Sequence, residues 1–290
     1  MKNLPLTRRD YTKKATGAAI GIGCAAAAES GFVHAAPKKG TPVALQLYTV
    51  RDLTAKDFPG TLATIAKMGY DAVEFAGYGG LSAADMKKLL GDLGLVCAGT
   101  HEGYERLDRN LDEVIGYNRA IGNEWLVCPS MPKEFSDKGA DGFKAFAEKL
   151  NVIGEKANKA GMKLCYHNHS FEFKKADGKY LLDILLSAAD PKLVSAEVDV
   201  YWVKFGGEDP VAFISRHAGR CPLLHMKDMT AGENPTYAPV GTGVIDMKGV
   251  VGAARKAGTK WFIVELDDSK MPMLQAIEIS LRNMRALLKA

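Results

Sequence analysis

A glycine between the end of an amphipathic helix and the start of a short apolar strand recurs along this chain, and no other feature restricts its fold as much. It stands at Gly69 before Ala72-Val73-Glu74-Phe75, at Gly94 before Leu95-Val96-Cys97-Ala98, and at Gly122 before Trp125-Leu126-Val127-Cys128. It returns at Gly161 before Met162-Lys163-Leu164-Cys165-Tyr166, at Gly219 before Leu223-Leu224-His225, and at Gly258 before Trp261-Phe262-Ile263-Val264-Glu265. Glycine just past a helix end adopts the left-handed conformation without a Cβ clash, and a strand follows at once in short helix-to-strand loops. Two more strands, Val43–Leu47 and Leu193–Asp199, lack this punctuation; the second follows a helix stopped by Asp190-Pro191. The spacing predicts eight strands and helices near 57–68, 82–93, 108–121, 140–160, 180–188, 209–217, 247–257 and 271–289.

Eight strand–helix units within 42–290 match the size of an α/β fold of the (β/α)8 TIM barrel type. An open doubly wound sheet would carry Gly-x-Gly-x-x-Gly after its first strand, whereas Gln46-Leu47-Tyr48-Thr49-Val50-Arg51 contains no glycine. No linker or charge run divides this region, which reads as one domain.

Residues 1–35 read as an address rather than as fold. Arg8-Arg9 precede an apolar, small-residue stretch from Ala15 to about Ala28, and Val33-His34-Ala35-Ala36-Pro37 offers a small-x-small cleavage site after Ala35. That order is an export signal, and the paired arginines resemble the twin-arginine type. The stretch is too short and too rich in Gly and Ala for a span, which needs ~20 apolar residues. A lipoprotein reading at Cys24 is weaker, because Gly21 fits its motif poorly. The expectation is a periplasmic protein exported already folded. The signal holds most of the chain's formal charge of +4, so the mature body lies near neutrality and has no general pull toward nucleic acid or an anionic membrane. Cys97, Cys128, Cys165 and Cys221 form no Cys-x-x-Cys motif and read as buried thiols.

In a barrel of this type, function sits at the C-terminal strand ends. Those ends carry Gln46 and Tyr48, Glu74, His101 and Glu102, Pro129-Ser130, His167-Asn168-His169, Glu197 and Asp199, His225 and Lys227, then Glu265 and Asp267. Asp199, His225 and Glu265 end three successive strands, and carboxylates with imidazole make a ligand set for a divalent metal. A fourth ligand is expected from the strand before them, from His167 or His169 at its tip or Glu172 just beyond. His167 is favoured, since Glu172 would require the loop to fold back. His217, near a helix end, reads as structural.

Tyr166-His167-Asn168-His169-x-Phe171-Glu172-Phe173, Glu197-Val198-Asp199, Leu224-His225-Met226-Lys227-Asp228, the stretch from Pro239 to Asp246 and Val264-Glu265 resemble the sugar isomerase/epimerase superfamily of xylose isomerase-like barrels, which includes inosose dehydratases and ketose 3-epimerases. The resemblance covers 42–290. It implies one divalent cation, Mn²⁺ first, with Mg²⁺, Co²⁺ or Zn²⁺ as alternatives, held by His167, Asp199, His225 and Glu265. His167 stands where the family places a glutamate. In the epimerases the first and last glutamates are also the two proton-transfer groups, so here Glu265 would act with Glu172, His101 or His169 as the second acid or base. Gln46, Glu74, His169, Lys227 and Trp202 are the expected substrate contacts, Trp202 from a loop over the site.

Two activities follow from the resemblance. One is a metal-dependent sugar isomerase or epimerase that abstracts the α-proton next to a metal-bound carbonyl. The other is a lyase or hydratase on a keto-sugar or keto-glycoside, which shares that step and then expels a β-substituent. A sugar-binding protein without catalysis would not need so many clustered carboxylates. The apurinic endonucleases that share the barrel need a basic DNA-facing surface that this body lacks. The expected partner is a small-molecule sugar or keto-sugar, with no nucleic acid and no membrane for the mature chain; a homodimer is compatible with the sequence. Gly241-x-Gly243, beside Pro239, reads as a tight turn rather than a phosphate loop.

Two histidines and two carboxylates bind Zn²⁺ or Cu²⁺ more tightly than Mn²⁺ by the general affinity order. Folding before export would let a weaker-binding ion be taken up first. We therefore expect the natively exported protein to carry Mn²⁺ or a similar hard ion. The same mature sequence behind a general secretory signal should carry more Zn²⁺ and turn over more slowly. Metal content and activity of the two preparations decide this, and identical values would remove the explanation.

Overall fold

The computed structural model describes residues 41–290; the export segment read at 1–35, with Arg8-Arg9 and Cys24, lies outside the described residues. Eight strands form a closed barrel: β1 (Val43–Gln46), β2 (Ala72–Phe75), β3 (Val96–His101), β4 (Trp125–Cys128), β5 (Lys163–His167), β6 (Val194–Asp199), β7 (Leu223–Met226) and β8 (Trp261–Val264). Each pairs in parallel with its sequence neighbours, and Val43 opposite Phe262 closes the ring between β1 and β8. A principal helix follows each strand: α1 (Phe58–Met68), α2 (Ala83–Leu93), α3 (Leu111–Ala120), α4 (Gly139–Lys159), α5 (Leu181–Ala188), α6 (Pro210–Arg216), α7 (Met247–Ala257) and α8 (Met273–Leu287). The fold is the (β/α)8 barrel that the glycine spacing predicts. Gly69, Gly94 and Gly258 close α1, α2 and α7 with φ of 101°, 64° and 81°.

The strands' period of two sorts residues between two cores. One set packs outward under the helices, where Leu45, Phe75, Tyr166, Val198 and Phe262 meet Phe143, Phe146, Phe213 and Ile277. The other points into the barrel, where Ala44, Ala72, Ala98, Trp125, Val127, Cys165, Leu223 and Ile263 form a separate apolar cluster. Two residues further along the strands the inward positions become Gln46, Glu74, His167, Glu197, His225 and Glu265, all buried. The barrel thus has an apolar floor and a polar layer directly above it.

The β7 end is tied to the loop before α7 by a single carboxylate. Asp228 accepts hydrogen bonds from the backbone N–H groups of Met229, Gly241, Gly243 and Ile245 at 2.8–3.2 Å. It roots a small hairpin in which Asp228–Met229 pairs with Tyr237–Ala238. A Cβ on Gly243 would lie 2.2 Å from the Met229 carbonyl oxygen and 2.4 Å from Asp228 Oδ1, so only glycine fits. Gly241-x-Gly243 is a turn around a protein carboxylate.

Asp228→Ala would leave buried N–H donors without an acceptor, at ~1–3 kcal/mol each when water cannot reach them. We expect a loss of about 3 kcal/mol or more, measured as a lower urea midpoint at unchanged slope. Stability within about 0.5 kcal/mol of wild type would mean that water replaces the clasp at little cost.

Candidate metal centre

The polar layer is a set of charges packed too closely to be independent. His225, on β7, lies between carboxylates: its Nδ1 is 2.8 Å from Glu265 Oε2, and its Nε2 is 2.7 Å from Glu74 Oε2 and 3.2 Å from Glu197 Oε2. Glu197 Oε2 also meets His101 Nε2 at 2.7 Å and His167 Nδ1 at 2.9 Å. Lys227 Nζ reaches Asp267 Oδ1 at 2.8 Å, Glu265 Oε2 at 3.0 Å and Asp199 Oδ2 at 3.4 Å. Its ammonium stands 5.3 Å from the Trp202 ring centre and 5.2 Å from that of Tyr237, within cation–π range.

Burial and mutual charge set the ionisation. Burial raises Glu74 to about 7, and the neighbouring Glu197 carboxylate adds to the effect. Burial raises Asp199 to about 7 as well, against the pull of Lys227. For Glu197 and Glu265 burial is outweighed: His225 and His101 hold the first well below the carboxylate range, and Lys227 and His225 do so for the second. Burial depresses His169 to about 4, helped by Lys227. His101 is raised, because the charges of Glu74 and Glu197 overcome its burial. The site therefore holds anionic and cationic faces within one buried cluster.

Ligand atoms from His167, Asp199, His225 and Glu265 lie within 4.8 Å of one another, and so do those from His101, His167, Glu197 and His225. Two observations bear on whether an ion fits. Asp199 Oδ1 caps the helical turn Val200–Phe205 by accepting from the N–H groups of Tyr201 and Trp202, while its buried Oδ2 accepts no hydrogen bond. Histidine nitrogens and carboxylate oxygens also make a donor set of intermediate hardness, suited to first-row divalent ions. Both observations fit a divalent cation.

A cavity of about 450 Å³ opens above this cluster. His101, His167, His169, Lys227, Glu265 and Asp267 line it, with Tyr48, Ala76 and Pro129. Of the expected substrate contacts, His169 and Lys227 stand on its wall. Gln46 and Glu74 are fully buried behind it, joined by a 2.8 Å bond from Gln46 Nε2 to Glu74 Oε2. A register irregularity between Val73 and Glu74 sets the Glu74 side chain beside Gly99, where a Cβ would come within 2.7 Å of Glu74 Oε1. Trp202 lies in the helical turn capped by Asp199, not in a loop, because an aspartate at a strand end is a ready N-cap. Its ring is 5.6 Å from that of His169. Glu172 is buried with both oxygens engaged: Oε1 accepts from the Tyr166 hydroxyl at 2.8 Å and Oε2 from the His169 N–H at 3.0 Å. It holds the loop that carries His169 and belongs to neither ligand set. His217 bonds Asp183 at 2.8 Å at the end of α6, and Cys97, Cys128, Cys165 and Cys221 are buried and free.

Sequence reasoning gave no role to Glu197 or Asp267. The signal for Glu197 was its place two residues before Asp199, which puts both on the inward face of β6. Asp267 stands in the same relation to Glu265 beyond β8.

A family described as "Xylose isomerase-like TIM barrel" matches residues 62–287 of this chain. An inosose dehydratase of Geobacillus thermodenitrificans (strain NG80-2) is 30% identical over 135 residues, 41% of this chain and 45% of that protein. One from Lacticaseibacillus casei is 28% identical over 144 residues, 44% of this chain and 48% of the relative. The chain thus spans about half the length of the curated relatives it matches. Among solved structures, a sugar phosphate isomerase/epimerase from Parabacteroides distasonis ATCC 8503 superposes with a TM-score of 0.75 at 26% identity, covering 87% of this chain and 96% of that one. A protein called IolI, solved with a bound zinc atom, shares the fold at a TM-score of 0.67 and 14% identity, over 86% and 98% of the two chains. With a closed eight-stranded barrel, a histidine–carboxylate cluster at its mouth and a family match over most of its length, this chain belongs to the xylose isomerase-like TIM barrel family.

Proposed function

We propose that the chain removes the α-proton of a keto-sugar beside a divalent ion held by His167, Asp199, His225 and Glu265, and that the reaction ends in loss of a β-substituent. When bound, the ion supplies positive charge that polarises the substrate carbonyl and makes the adjacent C–H bond more acidic. Glu265, on the cavity wall, takes the proton. The C–H electron pair becomes the new double bond as the β C–O bond breaks, and His101 gives a proton to the departing oxygen. Lys227, kept in place by Asp267 and Glu265, places a cation against the substrate's oxygens. His169 and Trp202 supply an imidazole and an aromatic face on which a sugar ring can rest.

One observation carries the choice of elimination: Glu172 is tied to Tyr166 and the His169 backbone instead of facing the cavity. Besides Glu265 the cavity wall carries one further carboxylate, Asp267, which is held by Lys227 at 2.8 Å, so the group left to deliver a proton is the imidazole of His101. An imidazole suits a single proton delivery to a leaving oxygen near neutral pH. The partial matches to inosose dehydratases favour the same reading. Isomerisation or epimerisation is the second reading, favoured by the isomerase/epimerase from Parabacteroides distasonis that matches nearly end to end. A free rather than phosphorylated sugar is proposed, because the amides of Gly241, Gly243 and Ile245 are already engaged by Asp228. The mature protein is proposed to work in the periplasm.

Asp199→Ala, His225→Ala and Glu265→Ala should each lose most of the bound ion while keeping the wild-type circular dichroism. His167→Ala should do the same and Glu172→Gln should not. Metal analysis of the purified proteins checks all five, and the opposite result for the last two would exchange the fourth ligand.

A panel of keto-sugars and keto-glycosides incubated in D₂O separates the two outcomes. Elimination releases water or an alcohol and leaves an unsaturated ketone absorbing in the ultraviolet. Epimerisation or isomerisation returns a product of unchanged composition, carrying deuterium where the base exchanges with solvent. His101→Ala should slow the elimination by about 10²-fold or more, the usual contribution of a positioned acid. Deuterium exchange without loss of a substituent would favour the second reading.

A further inference from the structure

Three imidazoles from three strands converge on one oxygen of one buried side chain. Glu197 Oε2 lies 2.7 Å from His101 Nε2, 2.9 Å from His167 Nδ1 and 3.2 Å from His225 Nε2, and Glu197 is fully buried. Two of these histidines belong to the ligand set proposed above. For His167 the contact to Glu197 uses Nδ1, which leaves Nε2 for an ion. For His225 it uses Nε2, while Nδ1 is the nitrogen facing Glu265. The two rings thus turn opposite nitrogens toward Glu197, and each keeps its other nitrogen for the site.

We infer that Glu197 is a positioning residue for the histidine ligands: it accepts the N–H of His167 Nδ1 and shares with Glu74 the N–H of His225 Nε2, and so presents Nε2 of His167 and Nδ1 of His225, bare, to one ion. The inference rests on the ligand assignment above and adds a residue with no role in it. A histidine that binds metal through one nitrogen commonly donates the other N–H to a carboxylate, which fixes the ring and makes the bound nitrogen more basic. Here a single carboxylate serves two ligands on neighbouring strands, which is open to it because Glu197 lies on β6, between β5 and β7. At His225 the nearer acceptor is Glu74, 2.7 Å from the same Nε2 against 3.2 Å for Glu197, with Gln46 behind it. Among the described residues His167 has no such second acceptor, so its orientation depends on Glu197.

The other arrangement the residues allow is a site in which Glu197 itself joins His101, His167 and His225 as a direct ligand. The two differ in which nitrogens meet the ion. With Glu197 as acceptor, His167 binds through Nε2 and carries its proton on Nδ1; with Glu197 as ligand, its Nδ1 would face the ion.

The test uses the mature protein loaded with Zn²⁺ and does not depend on turnover. Long-range ¹H–¹⁵N spectra of the histidine rings should show His167 metal-bound at Nε2 and His225 metal-bound at Nδ1. Competition with a chelator should show Glu197→Gln binding Zn²⁺ about 10- to 100-fold more weakly than wild type, the usual effect of losing such an acceptor, with one ion per chain retained at saturation. Co²⁺ spectra of the saturated variant should keep the wild-type coordination number, because no direct ligand is lost. The proposal is overturned by a His167 ring bound through Nδ1, by unchanged affinity in Glu197→Gln, or by loss of a ligand in the Co²⁺ spectrum. The nitrogen assignment in the wild type stands as a test even if the variant does not fold. Wild-type protein that takes up no divalent ion would overturn the ligand assignment itself and this inference with it, and so is distinguishable from a failure of Glu197 alone.

Discussion

Four carboxylates, Glu74, Glu197, Asp199 and Glu265, are buried inside one barrel, and the polar layer is organised around keeping them there. A buried ionised carboxylate is expensive unless it is paired and hydrogen-bonded. The compensation comes from inside the ring: Lys227 and the imidazoles of His101, His167 and His225 are interleaved so that each carboxylate has a nitrogen within 3.5 Å. The apolar floor of Ala44, Ala72 and Ala98 beneath supplies no polar partner, so the balance must be met at or above the layer. Asp199 and Glu197 each retain a buried oxygen without a hydrogen bond, and the charge there is incompletely satisfied by the protein alone.

This balance ties mechanism to architecture. The inward rows of β5 to β8 carry the histidines and carboxylates at matching heights, because neighbouring parallel strands are in register there: His167 lies opposite Glu197, and Asp199 opposite His225. A slip of one residue in any of these pairs would turn the row outward under the helices. The outward core of Tyr166, Val198 and Phe262 guards against that slip. The apolar packing outside the barrel therefore specifies the chemistry inside it.

The fold was legible because its signals are local. A glycine forced to positive φ at a helix end, followed at once by β-branched and aromatic residues, reports a helix-to-strand step whatever lies elsewhere in the chain. The strand-tip residues were legible by the same period of two. Which atoms face one another across the ring was not, because that depends on the closure of eight strands. Glu197 stood among the tip residues with no role, although it is central to the hydrogen bonding. Gln46 and Glu74 looked like cavity walls and proved to be backing, since the irregularity in β2 and the absence of a side chain at Gly99 let Glu74 settle behind the mouth. For Glu172, what sequence could not supply was the Tyr166 hydroxyl that holds it. Trp202 was placed near the site but in the wrong local structure, because a side-chain cap on Asp199 competes with the loop a strand end usually begins.

The hairpin rooted at Asp228 has a consequence for how this barrel can diversify. Its two strands are joined at the base by the clasp, while Thr230 and Thr236 close its far end with a backbone bond of 2.9 Å. Pro235 and Tyr237 tie it to the site, the proline carbonyl accepting from the Tyr201 hydroxyl and the tyrosine ring facing the Lys227 ammonium. Residues 231–235 between them are a short turn whose length and composition carry none of the barrel's strand pairing. Such a segment can be recombined or extended as a cassette, altering what reaches the mouth while the buried charges below keep their places.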